Sequence, residues 1–267
     1  MRTKIDVAGL FEKIRKENPV VHHLTNWVTI SDCAQIVKTL GASPVMAHAR
    51  EEAADMVKIA SSLVLNIGTL TPELVEAMKL AAQSANAKGI PVVLDVCGAG
   101  ATPLRDQKCL ELLREARIDI LKGNTSEIAR IAGENVRTRG VDAAAVGGDL
   151  AAIAQTLARS RKCTVVVTGR EDIVTDGGVT YLIKNGHEMM TRLVGTGCMA
   201  ASVIGTFAAV EKDPVAAAVA GLVCFEVAAE LAAERSKGPA TFKEKLFDDL
   251  YNLDAKTIER LQKIRNV

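Results

Sequence analysis

The stretch LVLNIGTLTPELVEAMKLAAQSANAKGIPVVLDV, residues 63–96, holds two short apolar runs on either side of a helical pattern. The runs LVLNIG and PVVLDV contain β-branched residues and are typical of buried strands. Between them, Thr71 is suited to cap a helix, Pro72 to occupy its first position and Gly89 to end it. Strand, helix and strand in this order predict a βαβ unit with parallel strands.

The same alternation extends along most of the chain. The runs PVVHHLT, DILKGN and TVVVTG are separated by segments with apolar residues three and four positions apart. Asp176, Gly177 and Gly178 lie between two β-branched runs and predict an antiparallel hairpin. The sequence therefore predicts an α/β fold, with a mostly parallel central sheet, helices on both faces and a hairpin at one side. No linker or internal repeat divides the chain, so one domain over 1–267 is expected.

Composition argues against several classes of function. The 33 Lys and Arg residues nearly balance the 32 Asp and Glu residues, and no dense basic stripe is present, which excludes a typical nucleic-acid partner. The first residues are charged and amphipathic, unlike a signal peptide, and no apolar run is expected to reach membrane-spanning length. We expect a cytoplasmic protein that binds no membrane. The six scattered cysteines form no C-x-x-C pair, so most should be buried free thiols.

In parallel sheets ligands bind beyond the carboxyl ends of the strands, which directs attention to five loops. These loops span residues 66–69, 95–102, 122–127, 168–169 and 195–198.

The last loop belongs to VGTGCMAAS, residues 194–202, where a glycine turn leads into an alanine-rich helix. Although G-x-G-x-x-A matches a dinucleotide fingerprint formally, helices rather than a βαβ unit follow, so we reject that interpretation. Backbone N–H groups at a helix start suit an anion such as a phosphoryl group; the alternative is a tight turn. A thiol at a helix start would have a lowered pKa, so Cys198 could accept a proton. The alternative is that Cys198 is an inert buried cysteine.

Two acidic residues are candidates at neighbouring strand ends. Asn124 and Glu127 form the pattern of a capping box. Glu127 could equally lie near a hydrated Mg²⁺, with Lys122 as a point charge for phosphates, and the two roles are compatible. Asp95 ends an apolar strand before a glycine-containing loop. It is either a carboxylate of the site or simply a turn residue.

Together, GTGC before a helix, N-x-x-E after a strand and D-x-x-G-A-G-A-T resemble the ribokinase superfamily. The stretches HHLTNWVT, GASPVMAHAREEAADM, LVLNIGTLT and GPATFKEKLFDDLYNL resemble its hydroxyethylthiazole kinase branch, in the same order over roughly residues 20–255. The resemblance implies Mg²⁺-dependent transfer of the ATP γ-phosphoryl group to 4-methyl-5-(2-hydroxyethyl)thiazole in thiamine salvage. It also implies a homotrimer with active sites at subunit interfaces. The alternatives are another ribokinase-like small-alcohol kinase, such as one for hydroxymethylpyrimidine, and a non-catalytic ligand-binding relative.

The resemblance also implies residue roles, with Gly197 in the anion hole and Cys198 as the base in place of the usual aspartate. Two positions depart from the family pattern: Lys122 stands where relatives often have Arg, and Val96-Cys97 replaces Pro-Val. Lysine keeps the charge but lacks the bidentate fork of arginine. The resemblance implies that the thiazole is bound by Met46, Gly195, Asn26 and Gly68, and that ATP is bound by Lys122 and Thr168. It implies that the metal is held by Asp95 and Glu127, and that catalysis involves Cys198 and Gly197.

Overall fold

One sheet of nine strands forms the centre of the structure, a computed structural model that describes residues 5–134 and 149–267. The strands are β1 Val20–Leu24, β2 Ser43–Val45, β3 Ser62–Asn66, β4 Val92–Asp95, β5 Ile120–Asn124, β6 Thr164–Thr168, β7 Asp172–Thr175, β8 Thr180–Ile183 and β9 Ile264–Asn266. Their order across the sheet is β2-β1-β3-β4-β5-β6-β7-β8-β9. In this spatial order, neighbouring strands pair in parallel from β2 at the edge, through β1, as far as β6. The remaining pairs, from β6 to β9, are antiparallel.

Helices cover both faces of this sheet, as the sequence predicts. They are α1 Val7–Glu17, α2 Ile30–Leu40, α3 Arg50–Val57, α4 Pro72–Lys88, α5 Pro103–Glu115, α6 Thr125–Ile131, α7 Leu150–Arg161, α8 Thr196–Ala208, α9 Pro214–Glu234, α10 Pro239–Asn252 and α11 Ala255–Leu261. A short 3₁₀ helix, Glu188–Arg192, precedes α8.

Alternation along each strand divides the core between the two faces. Successive side chains of a strand point to opposite faces, so Val64 and Val93 contribute to the core under α1, α2, α8, α9 and α10. Their neighbours Leu63 and Leu94 contribute to a second core under α3 to α7. The predicted α/β class is therefore confirmed.

Local signals predict the boundaries of helix α4 and the position of the hairpin correctly. The Thr71 side chain accepts a hydrogen bond from the Leu74 amide, and Gly89 ends α4 with a φ of 78°. The predicted hairpin is β7 and β8. The sequence does not predict the edge strands β2 and β9, because three residues are too few to show a strand pattern.

Helix α9 corrects the expectation that no apolar run reaches membrane-spanning length. It has 21 residues and, within the described part of the chain, is long and apolar enough to cross a membrane. However, 83% of its most apolar window is buried inside the protein. Burial of this extent is typical of a core helix.

Helix α8 lies unusually close to the sheet at Gly205. A Cβ atom at this position would lie 2.2 Å from Cγ2 of Val64 on β3. The Ser62 hydroxyl, at the start of β3, donates a hydrogen bond of 2.7 Å to the Gly205 carbonyl. Helix α8 therefore runs antiparallel to β3 and brings its first turn over the carboxyl ends of β3 and β4.

Replacing Gly205 with alanine should lower the free energy of unfolding by at least about 1 kcal/mol, because the added methyl group overpacks a filled interface. Urea denaturation measures this loss. The control is Gly178→Ala in the exposed hairpin turn, where the nearest atom to a Cβ is 3.4 Å away. Its unfolding free energy should change by less than about 0.5 kcal/mol. Equal effects of the two substitutions would contradict close packing at Gly205.

Candidate active site

Three polar side chains lie in register on neighbouring strands, two of them at the last residue of their strand. Asn66 on β3 pairs with Asp95 on β4, which pairs with Lys122 on β5. Each follows by two residues an apolar side chain that faces α8, so all three point to the face that α8 covers. All three are at most 3% exposed. The fold thus brings these three polar side chains together under the first turn of α8.

Cys198 lies in that first turn and closes the cluster. The helix begins after Gly195, whose φ of 91° favours glycine, and a Cβ there would also lie 2.5 Å from Cγ2 of Thr29. The Cys198 sulfur accepts hydrogen bonds of 3.3 Å from Nδ2 of Asn26 and from Nδ2 of Asn66. The thiol therefore lies where a helix start, two amide donors and a sheet edge meet.

Asn66 connects these groups. Its Nδ2 donates to Oδ2 of Asp95 at 2.8 Å as well as to Cys198, and its Oδ1 accepts from Nδ2 of Asn26 at 2.9 Å. The Gly68 amide also donates to this Oδ1, at 2.8 Å. The sequence indicates this loop as a candidate but gives Asn66 no role of its own. Its position as a polar residue ending a buried strand was the available signal.

A buried ion pair lies beneath the glycine turn. The Lys122 ammonium is 3.4 Å from Oδ1 of Asp95, and a Cβ at Gly197 would lie 3.0 Å from the same nitrogen. Burial raises the pKa of the Asp95 carboxyl, and the Lys122 charge opposes this. Burial acts to lower the pKa of Lys122, but the carboxylates of Asp95 and Glu127 outweigh it and raise that pKa. Lys122 is therefore a fixed positive charge beside the start of α8.

Glu127 forms the predicted capping box and one contact more. The Glu127 amide donates to Oδ1 of Asn124 at 3.0 Å, and Oε2 of Glu127 accepts from the Asn124 amide at 2.7 Å. Its Oε1 accepts from the Gly98 amide, also at 2.7 Å. Burial raises the pKa of Glu127, while Lys122 and these two amides oppose the effect. The side chain thus ties the loop after β4 to the start of α6.

The environment of Cys198 favours the thiolate. The influence of the Cys97 thiol is the main cause that lowers the pKa of Cys198 to about 5; burial opposes it, and Lys122, Thr29 and Asn26 contribute further. The influence of Cys198, together with burial, raises the pKa of Cys97. No sequence pattern assigns Cys97 to the site. Contact between the loop after β4 and α8 is a tertiary feature that no local pattern shows.

The structure brings most of the predicted residues together, with two at the margins. Thr168 ends the adjacent strand β6, and its hydroxyl donates to the Gly123 carbonyl at 3.4 Å. Met46 follows the edge strand β2, where its carbonyl contacts Nδ1 of His48 at 2.9 Å. The predicted residues that lie in or directly against the Cys198 cluster are Asn26, Gly68, Asp95, Lys122, Glu127, Gly195, Gly197 and Cys198.

Two buried carboxylates are the candidate ligands for a metal ion. Within residues 5–134 and 149–267, no group of three or more His, Cys, Asp or Glu side chains could hold one. Mg²⁺ typically binds one or two carboxylates together with waters and substrate phosphates. Asp95 and Glu127 fit that role, because two buried carboxylates here face the charge of Lys122.

Comparisons with known proteins agree on one family. The model of the hydroxyethylthiazole kinase family matches residues 11–256. A hydroxyethylthiazole kinase of Methanosarcina acetivorans is 51% identical over 249 residues, which cover 93% of this chain and 95% of the relative. A relative of the same name from Desulfatibacillum aliphaticivorans is 46% identical and covers 97% of each chain.

Solved structures support the same conclusion. The hydroxyethylthiazole kinase protein of Pyrococcus horikoshii OT3 matches with a TM-score of 0.90 and 40% identity, covering 98% of each chain. A pyridoxal kinase from Staphylococcus aureus matches with a TM-score of 0.64 and covers 93% of this chain and 98% of its own. At 13% identity, this second likeness concerns the fold alone.

Replacing Glu127 with glutamine should lower the free energy of unfolding by about 1–3 kcal/mol. Both carboxylate oxygens accept backbone N–H groups, whereas an amide offers one acceptor and turns an N–H toward the other donor. Thermal and urea denaturation measure the loss. Glu244→Gln on the exposed side of α10 is the control and should change the free energy by less than about 0.5 kcal/mol. A stable Glu127→Gln protein would show that the two contacts contribute little.

Proposed function

This chain belongs to the hydroxyethylthiazole kinase family, and on that basis we propose the reaction it catalyses. It transfers the γ-phosphoryl group of ATP to the hydroxyl of 4-methyl-5-(2-hydroxyethyl)thiazole, giving the thiazole phosphate for thiamine salvage. The observation that supports this most directly is Cys198, held by Asn26 and Asn66 at the start of α8. There a proton acceptor and an anion site occupy the same turn.

Cys198 acts as the general base in this proposal. As the substrate oxygen attacks the γ-phosphorus, its proton passes to the Cys198 sulfur, whose lowered pKa keeps it ionised at neutral pH. Phosphoryl transfer goes through a loose transition state that depends mainly on positioning and charge neutralisation. A thiolate that is only weakly basic is therefore sufficient.

Positive charge and backbone N–H groups receive the transferred phosphoryl group. The N-terminus of α8 at Gly197 provides N–H donors, and Lys122 lies directly against it. Thr168, at the end of the neighbouring strand β6, binds the nucleotide phosphates together with Lys122. Lysine serves here as a point charge rather than as a bidentate clamp.

Mg²⁺ is the cofactor that the carboxylates suit. Each oxygen of Glu127 and of Asp95 already accepts a hydrogen bond from the protein, so Asp95 and Glu127 would hold the ion largely through water. When bound with ATP, Mg²⁺ would neutralise phosphate charge. The carboxylates themselves orient Lys122 and the loop after β4.

Asn26, Gly68, Gly195 and Met46 would line the thiazole pocket, which a neighbouring subunit completes in a homotrimer. Nδ2 of Asn26 and the backbone amide of Gly68 both donate to Oδ1 of Asn66. The apolar side chains beside them are exposed: Trp27 by 57%, Val28 by 66% and, next to Gly195, Val194 by 71%. A partner subunit would cover this apolar rim. We place the enzyme in the cytoplasm, without nucleic-acid or membrane partners.

An assay of ADP release with Mg·ATP tests the activity. We expect turnover with the thiazole alcohol that depends on Mg²⁺, and much less with hydroxymethylpyrimidine. Preferred turnover of hydroxymethylpyrimidine would instead favour a related small-alcohol kinase. Binding of the thiazole alcohol without ADP release would favour a non-catalytic relative.

Replacing Cys198 with alanine should reduce turnover by about 10²–10⁴-fold, the usual contribution of a general base. The protein should still fold and bind both substrates. Cys198→Asp should recover most of the activity, because a carboxylate at a helix N-terminus is ionised at neutral pH. Steady-state kinetics at several pH values compare the three proteins. Wild-type turnover should fall as the pH drops through about 5, where the thiolate is protonated. Equal rates for cysteine and alanine, with no benefit from aspartate, would remove the base role.

Sedimentation should give a particle of three times the 28.3 kDa chain mass. Val28→Glu should dissociate it and abolish turnover, because a charge would be buried at the interface. Ile59→Glu is the control, since Ile59 is similarly exposed, at 63%, but lies after α3. An active wild-type monomer would contradict the trimer.

A further inference from the structure

His48 joins the two loops that carry Asn26 and Met46. It lies in the loop after β2, and its Nδ1 is 2.9 Å from the carbonyl oxygen of Met46. Its Nε2 is 3.0 Å from the amide nitrogen of Thr25 and 3.0 Å from the Thr25 carbonyl oxygen. Thr25 immediately precedes Asn26, whose Nδ2 donates to the Cys198 sulfur. One imidazole therefore connects Met46 to the chain segment that reaches the base.

The partners of the His48 ring determine where its hydrogen lies. A carbonyl only accepts, so Nδ1 carries a hydrogen when it bonds to Met46. The Thr25 amide only donates, and Thr25 is 1% exposed, so this buried N–H needs an acceptor. Nε2 accepts only without a hydrogen. With one, it can reach the Thr25 carbonyl but leaves the amide without this acceptor. The neutral ring with its hydrogen on Nδ1 is therefore the form that satisfies both partners.

Trp27 extends this connection to a third loop. Its indole ring packs against the His48 ring, with centroids 5.0 Å apart and planes tilted by 32°. The Trp27 amide donates to Oγ1 of Thr69 at 3.1 Å, and Thr69 follows Gly68. The loops after β1, β2 and β3 are thus joined around His48. Each of them carries one residue of the proposed thiazole pocket.

His22 anchors the loop after β2 independently of His48. Its Nε2, fully buried on β1, lies 2.9 Å from the carbonyl oxygen of Ala47. Burial lowers the pKa of His22, and a neutral ring that donates through Nε2 fits this contact. The loop therefore stays next to β1 when His48 is replaced. The orientation of Met46 relative to Thr25, by contrast, depends on His48.

We propose that His48 is a positioning residue, whose neutral ring fixes Met46 against the loop of Asn26 in the geometry that the thiazole ring requires. It acts through these neighbours and not on the reacting atoms. Asn26 remains held by Asn66 and by Thr29 when His48 is lost, so the hydrogen bond to Cys198 should persist. The effect on catalysis rests on the proposed function: binding of the thiazole alcohol should weaken, while the chemical step is preserved.

Two substitutions of His48 and one control separate this role from general stability. His48→Phe keeps an aromatic ring against Trp27 but removes both hydrogen bonds. His48→Gln keeps one donor group and one acceptor in its amide. His187→Phe is the control, because Nδ1 of His187 also accepts a backbone amide, that of Met189 at 3.1 Å, but on an exposed residue outside the three loops. Urea denaturation confirms that each protein is folded in the assays.

ADP release is measured with varied thiazole alcohol and, separately, with varied ATP. His48→Phe should raise the KM for the alcohol about tenfold, the effect of losing roughly one or two neutral hydrogen bonds. Its kcat and its KM for ATP should change less than about twofold. His48→Gln should recover part of the loss, and His187→Phe should behave as wild type. A fall in kcat with an unchanged KM for the alcohol, or equal effects of the two phenylalanine substitutions, would overturn the proposal.

Nuclear magnetic resonance tests the geometry independently of activity. Imidazole nitrogen spectra at about pH 8, where an ordinary histidine is neutral, should place the His48 hydrogen on Nδ1; the signals are assigned by their loss in His48→Phe. The Met46 methyl resonance should shift in His48→Phe but not in His187→Phe. A hydrogen on Nε2, or an unchanged Met46 resonance, would contradict the positioning role. If no protein releases ADP, the proposed function fails, and these spectra still decide whether His48 positions Met46.

Discussion

The buried ammonium of Lys122 stands among the acidic groups of Asp95, Glu127 and Cys198, and the rest of the site depends on that charge. Burying any one of these ions alone would be strongly unfavourable. Together they are stabilised by their mutual attraction and by N–H donors from Asn66 and from backbone amides. The cluster holds more acidic groups than its single lysine can balance. A divalent cation bound to phosphates would supply further positive charge there.

The fold creates this cluster through two geometric constraints. Parallel register aligns Asn66 and Asp95, which end β3 and β4, with Lys122 inside β5, so that these polar side chains share one face. The close approach of α8 at Gly205 then sets the distance between its first turn and that edge. Because Ser62 and Asn66 contact α8 at opposite ends of β3, the helix is fixed along the strand as well as against it. Packing far from the chemistry therefore determines where the Cys198 sulfur lies.

Local sequence patterns predict the fold and the loops that meet at the candidate site. The βαβ rhythm, the α4 caps and the Asn124–Glu127 capping box depend on neighbouring residues, and the structure agrees with each. The position of Asn66 at the end of a buried strand is a local signal, but its contacts and those of the loop that holds Cys97 depend on which strands adjoin and on how α8 packs. The edge strands β2 and β9 are too short for a pattern, and the apolar length of α9 reflects burial in the core. Sequence thus predicts the candidate loops, while tertiary packing determines the contacts among them.

The proposed chemistry requires that the protein holds Cys198 as a thiolate. The most direct measurement is the ultraviolet absorbance of the thiolate as a function of pH, taken as the difference between wild type and Cys198→Ser. The environment of Cys198 predicts a titration midpoint at a pH of about 5. A midpoint near the ordinary cysteine value, about 8.5, would contradict the account, because the amides, Cys97 and Lys122 would then not stabilise the charged sulfur.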